Sequence, residues 1–435
     1  MALPLNDPDA VREKGSLEGS GQVTPVDKPE QAPPIPANEP PNGGLRAWLQ
    51  VVGSFFLFFN TWGIVNSFGV FQTYYATDML THESESNISW VGSVQAFLLL
   101  IIGVGTGPLF DAGFFNILLW TGSFLVTFGM FMTSLCTKYW QVVLAQGITV
   151  GLGSGCLFIP SVAIVSTYFT TKKSFATGIA ASGSSLGGVL YPIIFTRLQP
   201  QIGFGWATRV VAFIVLGTMA VSVAVMRVRV LPAQKRALLE LSAFREAPFF
   251  AFSLAELLGF MGLYIPFFYL QSFAIEKSIM SSELGFYMLS ILNAASAFGR
   301  IIPNFLADKT GPLNILVPCT AISALLAFCW IAIDSTAGVV VFAVLYGFFS
   351  GTFVSLPPTT VVSLSPSLAV VGTRMGMSFS FAGFGILIGN PVAGAILNHG
   401  GWLGVQLYCA VCVVAAAILC VIARLTKTSK LAAKA

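Results

Sequence analysis

Arg300 lies in NAASAFGRIIPNFLADKTGP (293–312), inside a run that is otherwise apolar enough to lie in lipid. A cation there costs at least about 2.5–3.5 kcal/mol on insertion scales unless it is paired or hydrated. The chemistry that offsets such burial is anion binding, because a guanidinium can donate two parallel hydrogen bonds to a carboxylate. One acidic side chain offers itself as a partner. Glu256 falls about seven residues after the start of one apolar segment, and Arg300 about seven before the end of the next. At 1.5 Å per residue both are roughly 10 Å deep from the same membrane face. Three readings stay open: a pair released by an anionic substrate or by a proton on Glu256, a permanent structural pair, and two charges in separate wet pockets.

Neutral polar residues share these depths. Asn60, Gly63 and Asn66 form a polar stripe at near-helical spacing beside Trp62. In GLYIPFFYLQ (262–271), Tyr264 and Tyr269 flank Pro266, where a broken helix frees backbone carbonyls. Asn293 and Asn390 add amides. Each of these also fits plain packing; jointly, with 38 phenylalanines, they predict a polar but nearly uncharged pathway with wide aromatic walls. That suits a bulky, partly aromatic organic molecule better than a two-carbon acid.

Other chemistries find little footing. Two histidines, His82 and His399, leave little room for a metal site or a catalytic triad. All seven cysteines fall in apolar runs, and Cys409-x-x-Cys412 lacks a histidine or second pair, so small hydrophobic side chains are expected rather than zinc or redox chemistry. There is no Gly-x4-Gly-Lys-Ser/Thr loop, so ATP is not the expected driver, and neither a cofactor nor enzymatic activity is expected. A net charge of +4 is too weak to suggest nucleic acid.

The elements that must position these residues are membrane helices. Of 435 residues, 55% are hydrophobic and 9% charged, against about 25% charged in soluble domains. Apolar segments near 47–75, 88–110, 114–135, 140–168, 176–196, 206–226, 249–274, 284–307, 312–333, 337–362, 372–397 and 402–424 are each long enough to cross a core of about 30 Å. This predicts an all-α membrane protein with twelve transmembrane helices, eleven being the only competing count. Kinks are expected around Pro160, Pro192, Pro357 and Pro391. Residues 1–43 hold nine prolines and no apolar core, so they read as a disordered tail and not a signal peptide.

Basic residues orient the chain. With both termini inside, fourteen lysines and arginines collect on the cytoplasmic side and four outside, namely Lys138, Arg197, Arg209 and Lys277. The acidic loop Asp78–Glu85 then faces out, beside a sequon at Asn87 expected to lie too near the membrane for use. Trp48, Trp140, Trp206 and Trp402 sit at predicted helix starts, as interface anchors do.

The chain also repeats itself. Gly151 and Gly155 match Gly347 and Gly351 at a shift of 196; GSSLG (183–187) matches GILIG (385–389) at 202; Asp111 and Asp308 lie 197 apart. The expected organisation is a tail (1–43), a six-helix bundle (44–226), a cytoplasmic linker (227–247), a second bundle (248–424) and a short tail (425–435). Paired bundles place a substrate site between the halves near the midplane. Gly183, Gly187, Gly188, Gly385 and Gly389 put small residues on one helix face, and are expected either to pack statically or to let the halves slide. Asp308-Lys309-x-Gly311 follows the eighth helix; its carboxylate can accept hydrogen bonds from a neighbouring helix N-terminus and hold the inner gate shut. Asp111-Ala112-Gly113 lacks the basic residue and should latch more weakly.

The Asp-x-x-Gly turn at Asp308 and its copy at Asp111, one residue shorter, resemble the loop motif of the major facilitator superfamily. YFTTKKSFATGIAASGSSLG (168–187) is similar to the helix-five signature of the monocarboxylate-porter family, and NGGLRAW (42–48) resembles its first signature in fungal form, with Asn42 at the usual acidic position. The resemblance covers about residues 41–424. It implies a twelve-helix facilitator working by alternating access, with Arg300 matching the arginine that binds a substrate carboxylate in proton-coupled animal members. The aspartate four residues earlier is Ser296 here, and the helix-one lysine is best matched by Asn66, so lactate-like proton symport is not implied. The expected protein is a secondary transporter, a monomer by expectation, in the plasma membrane or a vacuolar one. Its cargo is a small to medium organic compound, possible anions included, with export preferred and a proton as a candidate co-transported or exchanged ion. The alternatives are uptake of a monocarboxylate or riboflavin-like nutrient, and a non-transporting sensor on the same fold.

Overall fold

The computed structural model describes residues 40–229, 239–366 and 370–428, with the side chains of Asp111 and Ser282 outside that description. Ten helices are long and apolar enough to cross a membrane. Two of them, Lys173–Val225 and Val371–Lys427, are 53 and 57 residues long and turn back at Gly203 and Gly401. Each therefore holds two spans, and the expected twelve crossings are there.

Local sequence sets the boundaries. Ser84, Ser281 and Ser335 cap the second, eighth and tenth spans, each accepting a hydrogen bond from a backbone N–H three residues on. Gly311, at φ 102°, ends the eighth span, and Pro312 opens the ninth. The corner glycines have φ 77° and ψ 166° (Gly203) and φ 63° and ψ −168° (Gly401), a region open essentially to glycine alone. Pro160, Pro192 and Pro391 lie inside continuous helices, whereas Pro357 begins a new helix after a break at Leu356.

The first and seventh spans are broken near their centres. Leu45–Asn60 gives way to Trp62–Asn66 and then Phe68–Tyr74. Ala247–Leu263 stops at Tyr264 and restarts as Ile265–Glu276, with Pro266 in its first turn. Apolar side chains such as Trp120, Phe124, Phe213, Leu325 and Val411 are more than half exposed and make the lipid-facing belt. Trp140 and Trp206 are exposed as anchors should be, but Trp402 is buried and donates to Glu276 at 3.1 Å.

The glycine faces require a correction. A Cβ on Gly187 would stand 2.5 Å from the Phe59 carbonyl and 2.9 Å from Gly63 Cα, and Gly183 packs on the Phe55 carbonyl. Gly385 and Gly389 meet the backbone of Leu257 and Met261 in the same way. These four lock the fifth span onto the first and the eleventh onto the seventh, within each half. Only Gly188 faces the other half, against Asn293. The close contacts between halves use glycines the repeat did not single out: Gly178 on the Arg300 carbonyl and Asn304, and Gly376, Gly383 and Gly394 on Val104, Leu100 and Ser86.

Of the expected tails and linker, residues 1–39, 230–238 and 429–435 lie outside the described residues. The last helix runs on to Lys427. Before the seventh span, Leu241–Arg245 forms a 3-10 turn, and the buried Arg374 binds Glu240 at 3.0 Å and Glu246 at 2.5 Å. The Arg374 hydrogen bonds hold the Glu246 carboxyl below the ordinary carboxylate range.

Candidate functional site

The breaks in spans one and seven meet the fifth and eighth spans around Arg300. Its side chain is fully buried. Nε donates to Ser296 Oγ at 3.1 Å, and Nη1 donates to Ser184 Oγ at 2.7 Å and to the Ala181 carbonyl at 3.4 Å. Nη2 makes no hydrogen bond among the described residues, and Tyr264 is its electrostatic neighbour. Tyr264 in turn donates to Asn66 Oδ1 at 3.2 Å, while Asn66 Nδ2 reaches the Ser184 carbonyl at 3.4 Å. The three positions matched through the resemblance, Asn66, Ser296 and Arg300, therefore converge on one cluster drawn from both halves. Among the described residues the side chains around the guanidinium, Ser184, Ser296 and Tyr264, are neutral.

Glu256 does not join it. Of the three readings left open, the structure fits separate surroundings: among the described residues the two side chains make no ion pair with each other. Glu256 is fully buried, and its Oε2 accepts from Ser378 Oγ at 2.6 Å on the eleventh span. The two side chains point to different neighbours. Arg300 faces the fifth span and Glu256 the eleventh.

Asn60 is also turned away. Its Oδ1 accepts from Tyr191 at 2.6 Å, and its Nδ2 donates to Thr218 at 2.8 Å and to the Phe56 carbonyl at 2.8 Å. It ties the first span to the fifth and sixth, which is a structural role. Asn293 donates to the Leu289 carbonyl at 3.0 Å and lies on the arginine's helix, two turns away; its Oδ1 has no partner among the described residues. Tyr269 belongs to the opposite end of the bundle, donating to the Asn390 carbonyl at 3.1 Å.

Beside the polar cluster stands an aromatic wall. Trp62 packs near Phe158, Phe260 and Tyr264, with ring centroids 5.8–6.3 Å apart, and Phe158 and Phe260 continue it to Phe379 and Phe353. Trp62 was legible as unusual only through its polar neighbours. The phenylalanines had no signal beyond their abundance.

Both ends are shut. At the end where the first span starts, Asp308 accepts hydrogen bonds from the backbone N–H groups of Ser174 and Phe175, each at 3.0 Å. These are orphan donors in the first turn of the fifth span, so the carboxylate ties the halves together where the sequence placed a latch. Lys309 is not part of it; its Nζ lies 4.6 Å over the Phe305 ring, which itself packs on Phe175. The side chain of the matching Asp111 lies outside the described residues. At the opposite end, Ser86 donates to the Pro391 carbonyl at 3.1 Å and Ser290 to the Val189 carbonyl at 3.3 Å. Arg300, Tyr264 and Trp62 are thus enclosed from both sides, an occluded arrangement.

Twelve spans, two broken at the centre, around a buried arginine define an alternating-access membrane carrier. Residues 51–370 match the family model of the Major Facilitator Superfamily, with a second match over 281–435. The chain is 50% identical over 384 residues to MFS-type transporter dbaD of Emericella nidulans, covering 87% of this chain and 86% of that one. It is 42% identical over 381 residues to the Aspyridones efflux protein apdF of the same organism, covering 87% and 78%, and 38% identical over 397 residues to MFS transporter asaE of Aspergillus flavus, covering 90% and 88%. The chain belongs to the major facilitator superfamily, and it is a multi-pass secondary transporter.

Proposed function

We propose that this transporter exports a secondary metabolite that is acidic and partly aromatic, from the cytoplasm across the plasma membrane, as a monomer with both termini inside. The observation that carries this is Arg300: a buried cation between the halves, surrounded among the described residues by neutral groups with no carboxylate on it, and with an aromatic wall alongside. An uncompensated charge in such a place is costly, and an anionic group on the cargo supplies the missing counter-charge. Stacking on Trp62 and Tyr264 accommodates a planar body. Kinship with an efflux protein for aspyridones supports export of a fungal metabolite. Ser296 and Asn66, neutral where proton-coupled animal monocarboxylate carriers bear charges, argue against lactate-type uptake.

The test is metabolite profiling inside and outside cells with the gene deleted and overexpressed, with Arg300→Ala run at matched membrane abundance. An acidic compound that accumulates in the deletion strain, leaves faster on overexpression and is retained by the mutant supports the reading. Depletion of a compound from the medium only when the protein is present reverses the direction.

A further inference from the structure

Away from the Arg300 cluster, a groove opens on the lipid-facing side between the third span, Phe115–Thr133, and the second arm of Lys173–Val225. Its volume is about 460 Å³. One wall is aromatic. Trp120 and Phe124 are each 65% exposed, and the Phe124 and Phe128 rings stack with centroids 5.6 Å apart at 12° to one another. The facing helix offers only Ala220 and Ala224 there, one turn apart and both exposed, which leaves room over that side. Two hydroxyls, those of Ser123 and Thr127, also line the groove. Ser123 reaches the Met219 sulfur at 3.6 Å. Thr127 is only 8% exposed, and its Oγ1 has no hydrogen-bonding partner among the described residues.

Position decides what can fill such a groove. Exposed aromatic side chains at this depth face hydrocarbon, so the occupant comes from the bilayer and not from water. A hydroxyl without a partner is costly in hydrocarbon, and an acyl chain has no group to offer it. From Trp120 to Phe131 the groove runs roughly 17 Å along the helix, about half of a core of about 30 Å. A partner helix crossing the membrane would need a face about twice that long. The volume falls within the range of about 300–1,000 Å³ usual for a pocket holding one small molecule. Near-parallel aromatic rings favour a flat, rigid body.

We infer that this groove binds a membrane sterol, which joins a rigid fused-ring plate to a single hydroxyl. The plate lies against Trp120, Phe124 and Phe128 and fills the space over Ala220 and Ala224, and the hydroxyl hydrogen-bonds to Thr127 Oγ1. Thr127 stands four residues from the Phe131 end, with roughly 10 Å of helix between it and Trp120, so the rings run from Thr127 towards Trp120. Bound there, the sterol bridges the third and sixth spans within one half. None of the residues clustered on Arg300 lines the groove, so the site is independent of the cargo reading.

The test gives the full chain, in detergent micelles, a cholesterol analogue bearing a diazirine, and maps the labelled peptides by mass spectrometry after illumination. Label is expected within residues 120–131 and 216–224, saturating with dose and displaced by unlabelled cholesterol. Ala220→Phe fills the groove from an exposed position and should abolish this label. Thr127→Val keeps the shape without the hydroxyl and should raise the half-saturating dose about fivefold. Label spread evenly over the lipid-facing belt, the peptides of Leu325 and Val411 included, or label undiminished in Ala220→Phe, overturns the proposal. So does an unchanged half-saturating dose in Thr127→Val. Displacement by phosphatidylcholine as strong as by cholesterol names an acyl chain, and protein recovered as a dimer whose groove takes no label names a second copy; either result overturns it as well.

Discussion

Arg300 and Asn60 are both fully buried polar residues, yet they call for opposite experimental outcomes. Removing Arg300 takes away the one cation of the central cluster. Arg300→Ala should weaken cargo binding by about 2 kcal/mol or more, roughly thirtyfold, with folding retained because its shell is neutral; binding to purified protein checks this. Asn60 is saturated by Tyr191, Thr218 and Phe56. Asn60→Ala leaves those groups unpaired, so about 1–3 kcal/mol of stability should be lost, read as a lower melting temperature with cargo selectivity unchanged. From the sequence, position along a helix can be read at 1.5 Å per residue. Azimuth cannot be read that way. Glu256 and Arg300 were matched by depth, but which neighbour each side chain meets depends on how the helices pack, and that information sits in distant residues such as Ser184 and Ser378. Asn66 and Tyr264 were both legible as candidates; that they bond to each other was not.

At the scale of the element, the twelve spans were legible from apolar length and the break in the seventh from Pro266, whereas the interruptions of the first span at Thr61 and Ser67 were not, and Pro160, Pro192 and Pro391, expected at kinks, lie inside continuous helices. The glycines were legible as close-packing residues but not as to which helix they approach, since any face of small residues looks the same until a partner is assigned. Their placement within each half gives a sharp expectation. Gly187→Val puts side-chain atoms where the Phe59 carbonyl already stands, and overpacking of this kind costs about 1–3 kcal/mol or more. Reduced thermal stability in detergent is expected, before any effect on cargo. The clamp of Arg374 on the segment before the seventh span makes a second expectation. The Glu246 carboxyl is held below its ordinary value by Arg374, so its contribution is full above about pH 4.3 and fades as pH falls through the lower, folded value. Thermal stability should therefore drop on acidification below that range, and Glu246→Gln should flatten this part of the profile. An unchanged acid limb in the variant would count against the clamp.

For the whole molecule, Asp308 is the test of the closed basic end. It joins the last turn of the eighth span to the first turn of the fifth across the two halves. A carboxylate at a helix N-terminus contributes about 0.3–1 kcal/mol, and up to about 2 when partly buried. Asp308→Asn should accordingly speed amide exchange over residues 173–180 by roughly two- to thirtyfold, while amides around Gly394 at the opposite end stay protected. Equal loosening of both ends would mean that Asp308 supports general stability and is no latch. The glycine corners at 203 and 401 bear on how such a molecule is made at all. Neither is touched by another group where a Cβ would be, and each joins two spans through a short turn, with Arg197, Gln199, Gln201 and Arg209 around the first corner and Asn398 and His399 before the second. The fifth and sixth spans have no loop to park on one side during synthesis, and neither have the eleventh and twelfth. Each pair must enter the bilayer together as a helical hairpin, carrying its corner across in one step. A substitution at Gly203 would then show itself in biogenesis, as chains that never finish inserting, and finished molecules would carry cargo normally.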